Sequence, residues 1–417
     1  MNTPLKLAPS VPLNLRVLFV MQLAKRLHEY GTNAHRLEGA INLVAKRLMM
    51  DAHVLSTPTS LILSLHDLTE GADRSQIPTQ VIRLNPGEIN LSKLSHVDAI
   101  AERVLAGSMA LEEGYHELES LQDAPSMLKR ALTLLSFGLA SGAVAVLLRT
   151  SLLDVGVAFG LGVVIGLVAF LSERSKRMAG SFEAVSALLA TLIAYSLEAL
   201  LPHLAAKQVI MASLIVLLPG LSLTIAITEL STQHLMSGTA RFAGAMTTLL
   251  KLAFGYVLGT EIIKLFSWYA PDSVVDPLPA WAVWAALPFA AFSFAVLFKA
   301  RFRDFPLVML AVIYGYAATR LGSELFNPDF GVFIAGMLVA AAANLYAGWF
   351  NRPGALVRVP GIILLVPGSI GYRSLSFLME KNLQSGLDTG FALMMALISL
   401  VAGMLFGNLL IPPRRHL

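Results

Sequence analysis

The chain contains no cysteine, and charged residues fill only 14% of its 417 positions. Without cysteine there is no disulfide framework, no thiolate nucleophile and no thiolate metal ligand. Soluble proteins carry roughly 25% charged residues, so charge is too scarce here to keep a surface of this size in water. Hydrophobic residues make up 56% and mean hydropathy is +0.68. This is the composition of a polytopic membrane protein. A Walker-type phosphate loop is missing as well, so nothing points to ATP as the energy source. An export signal is also missing. The apolar stretch Val11 to Val20 is interrupted by Arg16 and followed at once by Lys25, Arg26 and Glu29, which reads as an amphipathic helix. The net charge of +4 sits in short loops between hydrophobic segments, where it sets orientation. Nucleic acid is not an implied partner.

What the chain does have is a long internal repeat. Leu217 to Gly259 reads LLPG, a polar break ending in Ser237-Gly238, and a helix closing with Gly255-x-x-x-Gly259. Leu365 to Gly407 reads LVPG, Ser385-Gly386 and Gly403-x-x-x-Gly407. Pro219 and Pro367 are 148 residues apart (367 − 219), and the other three pairs keep that offset without a gap. Four matches in register argue for duplication. Paired hydrophobic segments broken by Pro and Gly are the best sequence pointer to a transporter's substrate site.

The first 125 residues are soluble in character. Helical spacing runs over Asn14 to Glu29 and about Ala34 to Met49. Two strand candidates follow, Ala52 to Leu65 (broken at Thr57-Pro58) and Gln80 to Leu84. Helices are expected at about His96 to Leu105 and Leu111 to Leu121, with a boundary at Asp123-Ala124-Pro125. His28, His35, His53 and His66 lack metal-site spacing and read as packed or solvated. Arg36 and Glu38 beside His28-Glu29-Tyr30-Gly31 form either a polar cluster at the helix–helix turn or interhelical salt bridges; the second is favoured.

Hydrophobic segments then cover about 131–148, 152–171, 182–201, 208–228, 239–264, 281–298, 305–321, 330–349, 356–378 and 388–411. Each approaches the roughly 20 residues that a bilayer requires. With the first domain and both termini cytoplasmic, the loops carrying Arg174 and Arg177, Lys299 and Arg301, Arg352 and Arg358, and the terminal Arg414-Arg415 all fall inside. Trp268, Tyr269 and Trp281 flank an acidic outside loop. Five spans per half make the two Pro-Gly helices cross in opposite directions. The expected fold is therefore a polytopic α-helical membrane protein, ten spans in two inverted five-helix repeats (126–270 and 271–417), preceded by a small α/β soluble domain (1–125).

Proline removes a backbone donor and frees a carbonyl one turn earlier. Such groups are tolerated at membrane depth only inside protein or facing water. The breaks Pro219-Gly220 and Pro367-Gly368 are thus expected around a shared cavity. Ser222, Thr224, Ser369 and Asn344 are candidate hydrogen-bonding partners of a small polar substrate, against the alternative that hydroxyls bond their own helix. Lys251, Tyr372 and Arg373 lie within spans, where charge marks a cavity or a partner; for Lys251, snorkelling or a backbone partner is the alternative. Glu229, at the end of the first Pro-Gly helix, is the candidate coupling carboxylate. The Gly-x-x-x-Gly pairs, including Gly156/Gly160, read as close helix packing.

HEYGTNAHRLE (His28 to Glu38), STPTS (Ser56 to Ser60), TQVIRL (Thr79 to Leu84) and LLPGLSLTIAITEL (Leu217 to Leu230) together resemble the threonine/serine exporter family over nearly the whole chain. The resemblance implies a bacterial inner-membrane exporter of threonine and serine, driven by an ion gradient, protons in the first instance, with no cofactor. It supplies no site residues; those above are physical readings. A membrane-embedded hydrolase using the histidine-bearing domain, or a passive small-solute channel, stands as the alternative. Homo-oligomerisation is left open.

Overall fold

The computed structural model describes residues 11–69, 78–121, 126–201, 203–266 and 276–413. The expected boundary at 123–125, Trp268, Tyr269 and the terminal arginines lie outside the described residues. The amino-terminal unit begins with α1 (Leu13–Glu29) and α2 (Ala34–Arg47). A hairpin and third strand follow, β1 (Met50–Thr57), β2 (Ser60–Asp67) and β3 (Thr79–Arg83), then α3 (Leu91–Leu105) and α4 (Leu111–Glu119). The sheet is antiparallel in the order β1-β2-β3. The first strand candidate is thus two strands: Thr57 pairs with Ser60 across the tight turn at Pro58, because proline has no amide to continue a ladder. β2 buries alternate residues, Leu61, Leu63 and Leu65, against Leu23, Leu27, Leu37 and Ile41 of the two helices.

Helices α5 (Met127–Leu147), α6 (Leu152–Ser172) and α7 (Lys176–Leu200) open the membrane part. Two short helices follow, α8 (Ala206–Ser213) and α9 (Gly220–Ser231), then the long α10 (Leu235–Leu265). The second half repeats that order in α11 (Ala280–Leu297), α12 (Phe305–Leu325), α13 (Pro328–Phe350), α14 (Ala355–Ile362), α15 (Gly368–Met379) and α16 (Leu383–Leu410). The 148-residue offset extends to backbone detail. α9 and α15 have the same twelve-residue length, and their preceding prolines have φ/ψ of −80°/36° and −82°/39°. Gln233 and Lys381 both adopt positive φ, 65° and 64°. Among the described residues, eight helices are long and apolar enough to cross a bilayer, or nine when α8 and α9, bent by 47°, are taken as one. The tenth expected segment is the α14–α15 pair, whose Arg358, Pro360 and Arg373 lower its hydropathy.

Glycine packing follows the sequence reading in three of four pairs. A Cβ on Gly255 would strike the Ala184 carbonyl, and one on Gly403 the Phe333 carbonyl. Gly162 and Gly166 seat against Ser141 and Phe137. Gly156 and Gly160 are the exception: nothing lies within 4 Å of a Cβ on either, because they face out of the helix bundle.

Candidate functional site

The two Pro-Gly breaks meet. A Cβ on Gly220 would lie 3.0 Å from the Gly368 amide nitrogen and against Val366, and one on Gly368 would lie 3.1 Å from the Gly220 Cα. Only glycine at both positions lets the backbones approach so closely. From this crossing the short helices run to different levels of α10. The end of α9 contacts it at Ser237 and Arg241 through Glu229. α15 contacts it at Leu249 through Gly371 and at Tyr256 through Tyr372.

A cavity of about 120 Å³ opens beside α9. One wall is the α9 face bearing Thr224, Thr228 and Thr232; the others are the α1–α2 turn, Arg358 on α14 and Asn408 on α16. The threonines recur every fourth residue and so share a helix face. Each hydroxyl donates to the carbonyl four residues back, at 3.2, 2.8 and 3.0 Å. Their protons are committed, and their oxygens remain acceptors.

Glu229 is fully buried and saturated. Oε1 accepts from the Ala34 amide (3.0 Å) and Arg241 Nη2 (3.3 Å). Oε2 accepts from Ser237 Oγ (2.9 Å) and Arg241 Nε (3.1 Å). Its carboxylate thereby ties the first turn of α2 to the membrane helices. Beside it, His234 Nε2 lies 3.1 Å from Glu38 Oε2, and Glu38 Oε1 accepts from the Ser56 amide. Burial pushes the Glu38 carboxyl up, with the Ser56 and His234 bonds opposing. The favoured salt-bridge reading of the Arg36–Glu38 segment thus holds for Glu38, which pairs across to His234 in the α9–α10 turn, and is corrected for Arg36, which pairs with nothing among the described residues.

Of the residues singled out in the sequence, Pro219, Gly220, Pro367 and Gly368 form the crossing, and Thr224 and Glu229 line the cavity. Asn344 is adjacent to it: its Oδ1 accepts from Arg358 Nη2 at 2.7 Å, and its amide donates to Asn408 and the Ile411 carbonyl. Tyr372 lies past the crossing, packed edge-on against Tyr256 with ring centroids 6.2 Å apart. Ser222 and Ser369 are half-buried and do not line the cavity, and Arg373 is exposed on α15. Lys251 donates to the Gly180 carbonyl at 2.9 Å and reaches Glu183 at 3.5 Å, outside the cavity. His53 and His66 touch each other, His35 touches His234, and His28 bonds the Thr57 carbonyl. Among the described residues no group of three or more His, Asp or Glu is arranged to hold a metal ion.

Sequence reasoning missed Arg36, Arg358, Asn408 and the stripe Thr228–Thr232. The threonine spacing was readable on α9. Arg358 looked like an orientation-setting loop charge.

A family model described as "Putative threonine/serine exporter" matches residues 18–263, and one described as "Threonine/Serine exporter, ThrE" matches 283–410. Relatives include Pheromone-regulated membrane protein 10 of Pichia sorbitophila, 26% identical over 86% of this chain and 37% of that protein. The same-named protein of Kluyveromyces lactis is 24% identical over 86% of this chain and 38% of its own length, and that of Eremothecium gossypii 24% over 85% and 48%. The chain thus spans less than half the length of these relatives. No solved structure matches it significantly. By the match over residues 18–263 and again over 283–410, this multi-pass membrane protein belongs to the threonine/serine exporter family.

Proposed function

We propose that the protein is a secondary active exporter of threonine, serine or similar small amino acids, working by alternating access about the Gly220–Gly368 crossing. The observation that carries this reading is an asymmetry across the crossing. Thr224, Thr228 and Thr232 face a cavity; their partners at the 148-residue offset are Tyr372, Ser376 and Glu380. Met404, on the cavity wall, has Tyr256 as its partner. On that side Tyr195, Tyr256 and Tyr372 close together, with Tyr195 and Tyr256 hydroxyls 3.4 Å apart. One access route is open and its counterpart is filled, as a transporter built from inverted repeats requires in one of its end states. The opposite runs of α9 and α15 along α10 support that inversion.

The amino-terminal unit contacts the 229–241 and 298–301 segments (Leu91 and Ser92 amides to the Phe298 and Lys299 carbonyls, at 3.0 and 3.1 Å), both basic loops read as inside. The far-side turns also meet each other, Leu278 to the Thr150 carbonyl. This supports ten crossings, a cytoplasmic amino-terminal unit and a cytoplasmic-facing cavity in a bacterial inner membrane. Proton coupling would act where Glu229 and the Glu38–His234 pair dock that unit, because the Glu38 carboxyl, which burial pushes up, sits at the joint between that unit and the α9–α10 turn. The test is threonine efflux from cells loaded with a threonine dipeptide, with and without an uncoupler. Protein-dependent efflux that the uncoupler stops is expected; efflux that ignores it would replace the exporter with a channel.

A further inference from the structure

Arg36 is the third residue of α2, in a turn where nearly everything else is engaged. The Ala34 amide is on Glu229, Glu38 is on Ser56 and His234, and the His35 ring meets His234 at 5.5 Å. Gly31 has φ +82° and a Cβ on it would lie 3.0 Å from the Ile89 backbone, and the Glu88 and Asn90 amides bond the Glu29 and Tyr30 carbonyls. Arg36 makes no hydrogen bond or ion pair among the described residues, yet it lines both the 120 Å³ cavity and an adjoining one of about 50 Å³. Burial brings its guanidinium down to about 10, so it stays cationic at neutral pH. Arg36 is half-buried, and drawing a guanidinium partly out of water without a partner carries a cost that an anion in the cavity would offset.

The rest of the cavity has the same deficit. Arg358 lines both cavities; its Nη2 donates to Asn344 and Asn408, its Nε is buried without a partner, and no carboxylate pairs with it among the described residues. The acid on the wall, Glu229, already accepts four bonds. The site therefore presents two guanidinium groups in want of an anion, opposite the Thr224 and Thr228 oxygens, able to accept from an ammonium or a hydroxyl; the Thr232 oxygen is already 3.2 Å from His234 Nδ1. A volume of about 120 Å³ corresponds to roughly ten water-sized spheres, room for the heavy atoms of a threonine.

We propose that Arg36 binds the substrate carboxylate, with Arg358 beside it, so that the amino-terminal unit supplies part of the transport site. This rests on the exporter reading. Guanidinium recognises carboxylate through paired N–H donors, which lysine cannot reproduce.

The test uses the full chain in proteoliposomes and in detergent, with Arg36→Gln and Arg36→Lys. Expected are a KM for threonine raised at least tenfold in Arg36→Gln with a smaller change in maximal rate, an intermediate Arg36→Lys, and no transport of threonine amide by the unaltered chain. Without ligand, Arg36→Gln should melt at or above the unaltered protein, because it removes an unpaired charge. Unchanged KM values in both variants would overturn the site and leave the exporter standing. Threonine binding by the unaltered chain that Arg36→Gln abolishes, without any transport, would overturn the exporter reading and leave the site standing.

Discussion

α9 and α15 start from the same Pro-Gly turn, at nearly the same φ/ψ, and run for the same twelve residues. One looks onto a cavity and the other onto a wall of tyrosines. The backbone is common to both, so side-chain volume and partners decide which side is open. Threonines at 224 and 228 leave space that Tyr372 fills with the help of Tyr195 and Tyr256. Glu229, whose partner position is Phe377, gives α9 a second distinction: it holds the amino-terminal unit over its end, and among the described residues α15 holds no counterpart.

The strongest way to break that comparison is to remove Glu229. Glu229→Ala leaves Arg241, Ser237 and the Ala34 amide without their acceptor. Losing one member of a buried ion pair costs about 3–5 kcal/mol. The expected outcome is a large fall in Tm and faster proteolysis between the amino-terminal unit and the membrane helices. Phe377→Ala should leave that protease sensitivity unchanged. Equal sensitivity in the two variants would deny that docking is confined to the α9 side.

The crossing itself should behave symmetrically. Gly220→Ala and Gly368→Ala each drive a methyl against the partner's backbone, and Gly220→Ala also against Val366. Overpacking of this kind costs about 1–3 kcal/mol. Both variants should lower Tm and slow efflux, with Gly220→Ala the worse. Gly244→Ala, where a Cβ meets nothing within 4 Å, is the control. Indifference to both crossing substitutions would remove the crossing as the pivot.

Because the chain has no cysteine, Thr228→Cys and Ser376→Cys each introduce a sole thiol at partner positions. A membrane-impermeant thiol reagent should modify Cys at 228 from the cytoplasmic face at least tenfold faster than Cys at 376 from the opposite face. Adding Tyr372→Thr to the latter should speed its reaction. Equal rates before that addition would mean that the tyrosines do not close the far side.

The side-chain asymmetries were less legible in the sequence than the backbone symmetry. Proline and glycine carry conformational information wherever they stand, so the paired breaks at 219–220 and 367–368 and the repeat offset could be read directly. So could the helices of the amino-terminal unit, from hydrophobic spacing. Arg36 could not be read as unpaired, because its isolation depends on how α2 docks against α9, a contact across nearly two hundred residues. Lys251 shows the reverse: a charge within an apolar segment pointed to a cavity, but its partners, Gly180 and Glu183, are supplied by α7. Gly156 and Gly160 carry the small-residue spacing of a packed helix face, yet α6 turns them outward.

The smallest expected effect also sharpens the contrast, because it concerns the unit that covers only the α9 side. His28 is buried, its Nε2 donates to the Thr57 carbonyl at 3.0 Å, and its Nδ1 has no partner. Burial lowers its pKa, with the Thr57 bond opposing and Arg241 adding to the lowering. A base whose folded pKa lies below its ordinary value of 6.5 stabilises the fold above that value. The contribution is lost as the pH falls through the lowered folded pKa. Tm should therefore decline on acidification below pH 6.5. His28→Gln keeps a donor for Thr57 but does not titrate, so its decline should be shallower. Modification of Ser376→Cys from the far side should not follow that acid limb, because the tyrosines pack between α7, α10 and α15, whereas this unit docks on the end of α9. A far-side rate that rose in step with the loosening of the amino-terminal unit would join the two regions into one switch.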